Sequence, residues 1–160
     1  KKTIVIESDY QPLLYGIIII IVFTVIVLFS IERSVVVKKR IFRGREPVEG
    51  LKEYKIFLHV RNGKRFILQD VKVMDLVPNV LHLKSDFGSL HPDRVQHGER
   101  ATRLLWTMTK LEPKEERVFS YKVQRKETIV GEVVLPVAIV QYIDDKDKFA
   151  QVKSIRVVLE

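Results

Sequence analysis

Tyr54-Lys55-Ile56-Phe57-Leu58-His59-Val60-Arg61 decides how the C-terminal part of this chain is read. Tyr54, Ile56, Leu58 and Val60 fall on one face of an extended strand, and Lys55, Phe57, His59 and Arg61 on the other. Asn62-Gly63 follows, a pair that tolerates positive φ and predicts a turn. The same rhythm recurs on both sides. Upstream, residues 35–42 (Val35-Val36-Val37-Lys38-Lys39-Arg40-Ile41-Phe42) read as a first strand, closed by Gly44 and Pro47. Downstream, strands are predicted over 66–74 (ended by Asp75 and Pro78), 80–83, 104–108, 117–123, along the apolar run 129–143 and over 149–159. Gly131 and Pro136 interrupt that run and suggest a bulge or an edge position. Residues 85–103, rich in Gly, Pro, Asp and His, read as loop, and 144–148 as a polar hairpin tip. Seven or eight short strands without helical periodicity predict a mainly β chain folded as a β-sandwich, with a barrel as the alternative.

Ahead of the strands stands a different kind of sequence. Residues 13–31, LLYGIIIIIVFTVIVLFSI, are nineteen residues without a charge. As a helix they would extend about 28 Å, close to the roughly 30 Å of a bilayer's hydrocarbon core. Lipid offers no hydrogen bonds to the backbone, so a helix is the expected form despite the Ile and Val content. A buried core helix or one long strand are the competing readings, but strands average five or six residues. A cleaved signal peptide fits poorly, because the apolar run is long and Glu32-Arg33-Ser34 is no small-residue cleavage site. The expected layout is an extramembrane head over 1–12 (the tail of an upstream region, with strand-like Thr3 to Ile6), a transmembrane helix over 13–31, a basic juxtamembrane segment with the first strand over 32–47, and the sandwich over 48–160. Tyr10 and Tyr15 suit an interfacial aromatic belt.

The formal net charge is +8, and its distribution matters more than its size. Up to Arg45 there are eight basic and three acidic residues; beyond it, twenty and seventeen. The excess is juxtamembrane: Arg33, Lys38, Lys39, Arg40, Arg43 and Arg45 are the expected contacts to anionic headgroups, at about 1 kcal/mol each. The positive-inside rule then puts the C-terminal domain in the cytoplasm. There is no cysteine, hence no disulfide frame and no thiolate metal site. High Lys, Arg and Glu with only two Asn and two Met is a pattern thermophilic proteins tend to show.

Five stretches in order resemble the Ig-like conserved-repeat domain of archaeal and bacterial cell-surface proteins. They are Val60-Arg61-Asn62-Gly63, Val71-Lys72-Val73-Met74-Asp75-Leu76-Val77-Pro78, Leu105-Trp106-Thr107, Leu111-Glu112-Pro113-Lys114-Glu115, and the strand carrying Tyr121, with 135–140 at the place of the family's penultimate strand. The motif residues are Asn62, Asp75, Pro78, Trp106, Pro113 and Tyr121. Lys114 stands where the family usually has Gly, and Pro136 where Asn is common. The resemblance implies an immunoglobulin-like sandwich acting as spacer, adhesion or assembly module, without catalysis, and an extracellular setting opposed to the charge rule. Trp106 is expected to fill the core between the sheets, Pro78 to end a strand, and Pro113 to open a turn.

Chemical motifs are scarce. His59, His82, His91 and His97 have no zinc spacing, although His91, Asp93 and His97 share the long loop. Asp144, Asp145 and Asp147 lack the Gly and the distal Glu of a calcium loop, and Lys146 and Lys148 would repel a cation. No phosphate loop or nucleophile elbow occurs, and bases interspersed with acids argue against nucleic acid. The expectation is a non-enzymatic, single-pass membrane protein with no cofactor and no small-molecule substrate. Its partners are the lipid bilayer and proteins held at the membrane, contacted through sheet edges or the loop 85–103. The alternative is an accessory subunit of a larger membrane complex.

Overall fold

The chain's structure is a computed structural model that describes residues 11–30, 34–44, 51–126 and 131–159. The described residues belong to two compact units, one holding a helix and the other all the strands. The head residues 1–10, with the strand expected over 3–6, lie outside the described residues, as do Ile31, Arg33, Arg45 and 127–130.

The helix, α1 (Gln11–Ser30), is twenty residues long and carries no charge. Its apolar residues are not gathered on one side: Leu14, Tyr15, Ile17, Ile18, Ile19, Ile20, Ile21, Phe23 and Ile26 are each about half exposed or more. Thr24 Oγ1 donates to the Ile20 carbonyl at 2.8 Å, so the helix's internal hydroxyl is satisfied within its own backbone. The side chains described along α1 are those of Gln11 and 14–26. Among the described residues no helix is long and apolar enough to cross a membrane.

The second unit is a sandwich of antiparallel strands, and the described residues hold eleven of them. One sheet is ordered β1 (Val36–Arg43), β2 (Leu51–Arg61), β7 (Glu116–Lys126), β4 (His82–Lys84). The other is ordered β10 (Phe149–Lys153), β9 (Ile139–Ile143), β3 (Leu68–Pro78), β6 (Ala101–Leu111), β5 (Arg94–His97). A third, two-stranded piece pairs β8 (Val133–Leu135) with β11 (Val157–Leu159). The count exceeds the expected seven or eight for three local reasons. The apolar run 129–143 is cut at Pro136, which cannot donate to a ladder, into β8 and β9. The closing stretch breaks around Ser154, whose Oγ accepts from Ala138 N, into β10 and β11. The expected loop 85–103 contains β5, an exposed edge strand on β6.

The core is built by period-two rows from the two sheets. Ile56, Leu58, Val60, Phe119, Tyr121 and Val123 come from the first, and Val71, Val73, Val77, Leu104, Trp106 and Val140 from the second, all buried. Trp106 lies 5.2 Å from Phe119 and 6.5 Å from Tyr121, centroid to centroid, and its Nε1 donates to the Leu90 carbonyl. Truncating it to Ala would cost about 3–5 kcal/mol. The strand β3 holds its inward row through a bulge: Gln69 and Asp70 both face out, Asp70 has φ +47°, and the register against β9 shifts there. Beyond the bulge β3 runs on to Pro78, past the end expected at Met74.

One expected turn is absent, and the one expected at Pro113 forms with an unfavourable residue in it. Asn62-Gly63 is not a tight hairpin: β2 pairs with β1 and β7, and the chain crosses from Asn62 to the other sheet. Neither residue has positive φ. The buried Asn62 amide instead donates to the carbonyls of Phe66, Leu111 and Glu112, and its oxygen accepts from Lys64 N, so one side chain holds two loops together. At the second turn Glu115 N donates to the Glu112 carbonyl, Pro113 takes the next position, and Lys114 follows with φ +63°. That is a type II turn, whose third residue favours Gly. Lys114→Gly should therefore raise stability by about 1 kcal/mol, seen as a higher urea midpoint at unchanged slope; a lowered midpoint would contradict this account of the turn.

Candidate functional site

Between the two sheets sits a cluster of three polar side chains. Lys39 enters from β1, where the inward row is Val35, Val37, Lys39, Ile41; Asp75 enters from β3, where it is Val71, Val73, Asp75, Val77. Lys39 Nζ donates to Asp75 Oδ1 at 2.7 Å, both side chains being fully excluded from solvent. Tyr121, reaching in from β7, donates its hydroxyl to Asp75 Oδ2 at 2.7 Å, and Leu76 N donates to Oδ1. Lys39 Nζ also donates to the Pro136 carbonyl, at 3.0 Å. Asp75 thus ends no strand; it is the acceptor that both sheets converge on.

Burial dominates the electrostatics of this cluster. It pushes the Lys39 ammonium below its ordinary range, against the pull of Asp75, and pushes the Asp75 carboxyl up, against Lys39 and Tyr121. The Tyr121 phenol is held well above its usual value, first by burial and then by the neighbouring carboxylate. Neither charge would be tolerated here without the other. The cluster is closed to solvent on every side that its exposure reports, so its role is to join the sheets rather than to meet a substrate. Lys39 was expected at the membrane surface; it is spent inside the sandwich instead.

The residues left on the outside of the first sheet make a second feature. Lys38 and Arg40 project outward from β1, opposite His59 and Phe57 of β2. A cleft of about 330 Å³ is lined by Val36, Lys38, Arg40, His59, Arg61 and Glu116. His59 Nδ1 lies 2.7 Å from Glu116 Oε1, and that contact, backed by the charges of Arg61 and Lys38, holds the Glu116 carboxyl below its usual range. Of the remaining basic residues singled out in the sequence, Arg43 ends β1, and Arg33 and Arg45 lie outside the described residues.

The loop after β4 is pinned down at several points. Asp86 pairs with Lys122 at 2.8 Å, Phe87 and Leu90 pack on the core, and Asp93 accepts from both the backbone N and the hydroxyl of Thr107 at 2.6 Å. Gly88, with φ +66°, sits so close over Ser120 that a Cβ would strike its hydroxyl. A cleft of about 450 Å³ opens beside this loop, lined by His91, Asp93, Trp106, Met108, Arg117 and Phe119 among others. Asp144 Oδ1 accepts from the backbone N of Lys146 and Lys148, which caps the hairpin tip. Among the described residues no group of three or more His, Cys, Asp or Glu could hold a metal ion.

No family model matches the chain, and no curated protein matches it. Solved structures do. BcpA, the major pilin subunit of Bacillus cereus, superposes with a TM-score of 0.56 at 18% identity, covering 78% of this chain and 40% of that one. The full-length major pilin SpaD of Corynebacterium diphtheriae gives 0.48 at 18% identity, over 76% of this chain and 34% of that one. A non-cellulosomal cohesin from the hyperthermophilic archaeon Archaeoglobus fulgidus gives 0.43 at 14%, over 76% and 88%. The chain therefore spans less than half the length of either pilin. At these identities the likeness is one of fold, and that fold is an Ig-like β-sandwich.

The buried cluster yields a mutational prediction. Lys39→Met or Asp75→Leu alone should cost about 3–5 kcal/mol, because each strands an unpaired buried charge, while the double variant should cost far less than the sum. Urea unfolding of the four proteins in the cycle measures this, and additive losses would show that the two side chains do not act as a pair. The exposed carboxylates set the acid limit. Asp93 and Asp144 have folded-state values held below their ordinary range by hydrogen bonds from Thr107 and from the Lys148 backbone. A depressed carboxyl contributes stability above its unfolded value and loses it as pH falls through the folded one. The part of the stability carried by these two carboxylates should be lost below about pH 5, and Asp93→Asn should shrink that loss.

Proposed function

We propose that this chain is a membrane-anchored, non-catalytic interaction module: α1 holds it in a bilayer and the Ig-like sandwich presents itself to protein partners. The observation that carries the anchor is the uncharged stretch 13–31, helical wherever it is described, with its apolar side chains exposed on all faces. A helix of that kind is stable against lipid or inside a large core, and the sandwich has a complete core without it. Anchoring confines partners to two dimensions, which raises their effective concentration and lets weak contacts suffice.

The sandwich is proposed to face outward. The fold shared with a pilin subunit supports that side. The charge argument for the opposite side weakens once Lys39 is counted inside the core and Lys38 and Arg40 within a folded strand. Contact surfaces are the edge β5 and the loop before it, fixed by Asp86, Leu90 and Asp93. Arg33, Arg43 and Arg45 flank the anchor in sequence and are proposed, with Lys38 and Arg40, to meet headgroups.

A second reading, an accessory subunit of a larger membrane complex, draws on one feature. Leu105, Met74 and Ile139 form a half-buried apolar row across the outer face of the second sheet, in register from β6 through β3 to β9. Such a row would suit a stable neighbour. Purification in mild detergent separates the two: a lone or self-associated species supports the scaffold, and stoichiometric co-purifying chains support the subunit.

The anchor is tested by flotation. The full chain mixed with vesicles during removal of detergent should rise with the lipid in a density gradient and resist alkaline carbonate. A chain left in the aqueous fraction overturns the reading.

A further inference from the structure

The geometry points to a lipid-docking face on the sandwich itself: the outer side of β1, β2 and β7 is built to lie on an anionic phospholipid surface. This rests on the membrane-anchored reading and extends it to residues distant from the anchor in sequence. The strand register brings Lys38 opposite His59, Arg40 opposite Phe57, Phe42 opposite Lys55 and Val36 opposite Arg61. Four cations from two strands thus share one face.

Charge on that face is one-sided. Its carboxylates are already engaged: Glu53 with Lys84 and Lys122, Asp86 with Lys122, and Glu116 with His59. Among the described residues, Lys38, Arg40, Lys55 and Arg61 have no carboxylate within ion-pair distance. A row of unpaired cations on a rigid sheet is electrostatically complementary to a plane of phosphates, at about fivefold in affinity for each.

The aromatics on the same face favour a membrane over a nucleic acid. Phe42 and Phe57 meet edge to face, 5.3 Å apart at 86°, and Lys55 Nζ stands 5.2 Å from the Phe57 ring centroid. The Phe57 face that a base would stack on is occupied by Lys55. Phe42, 55% exposed, opposite Lys55 and on the same face as Arg40, instead offers the apolar wedge that interfacial faces place at the headgroup level. The outer face of the other sheet carries Lys72, Arg94, Arg103 and Lys153 spread around its apolar row, without the paired Phe rings of the first.

The chain lacks cysteine, so Val118→Cys, an exposed position on β7 opposite His59, gives a single site for a fluorophore. The full labelled chain is reconstituted into phosphatidylcholine vesicles with and without phosphatidylglycerol, each carrying a headgroup nitroxide quencher. Quenching should be at least twofold stronger with the anionic lipid and should fall to the phosphatidylcholine level in 0.5 M NaCl. It should fall likewise in K38E/R40E/K55E/R61E, while K72E/R103E should leave it unchanged. Equal quenching in both lipids, or quenching indifferent to salt, overturns the docking face while leaving the anchor standing; these arms use the labelled chain with native charges and need no folded charge-reversal variant. Loss at millimolar inorganic phosphate under constant ionic strength, or on adding a short oligonucleotide, reassigns the cations to a free anion or to nucleic acid and also overturns it. Failure to recover the chain with vesicles of either kind removes the anchored reading and this inference together.

Discussion

An ammonium and a carboxylate 2.7 Å apart, sealed between two sheets, form the contact on which the sandwich depends. A sandwich is otherwise held by apolar rows that tolerate sliding and repacking. A buried charge pair does not: Lys39 must meet Asp75, and Tyr121 must meet its second oxygen. That requirement fixes β1 against β3 and β7 against β3 at one register. Burial works against both charges, so the pair is a constraint on geometry more than a source of stability.

This constraint also decides what remains on the surface. Because Lys39 points inward, its neighbours Lys38 and Arg40 must point outward, and β2 adds Lys55, Phe57, His59 and Arg61 to the same face. The interior ion pair and the exterior cationic face are two consequences of one strand's alternation. The bulge at Asp70 plays the matching part on β3, since without it Asp75 would turn away from the core.

Much of this was readable in the residues, and the misses share a cause. The alternation of 54–61, the Pro and Gly punctuation and the long apolar run gave the strands and the helix in order, and Pro136 marked the break between β8 and β9. The roles of Lys39 and Asp75 were missed because each was read by its charge, one as a headgroup contact and the other as a strand terminator. Period two held the signal: Val35, Val37, Lys39, Ile41 and Val71, Val73, Asp75, Val77 are two inward rows, each broken by one residue of opposite sign. Asn62 was read through its Gly neighbour as a turn, when its side chain is what the loops bind. The short strands β4 and β11 are set by pairing partners far away in sequence, β7 and β8, which no local pattern reports, whereas β5 and β10 close short hairpins with β6 and β9. Which face the cations share depends on register between strands, and that too is invisible in one strand alone.

The protonated Nζ of Lys39 can be observed directly by nitrogen-15 NMR of the full chain in detergent micelles. The account predicts one lysine ammonium resonance protected from exchange with water, with cross-relaxation to the Tyr121 ring. An Nζ signal exchanging as fast as those of the surface lysines would contradict it.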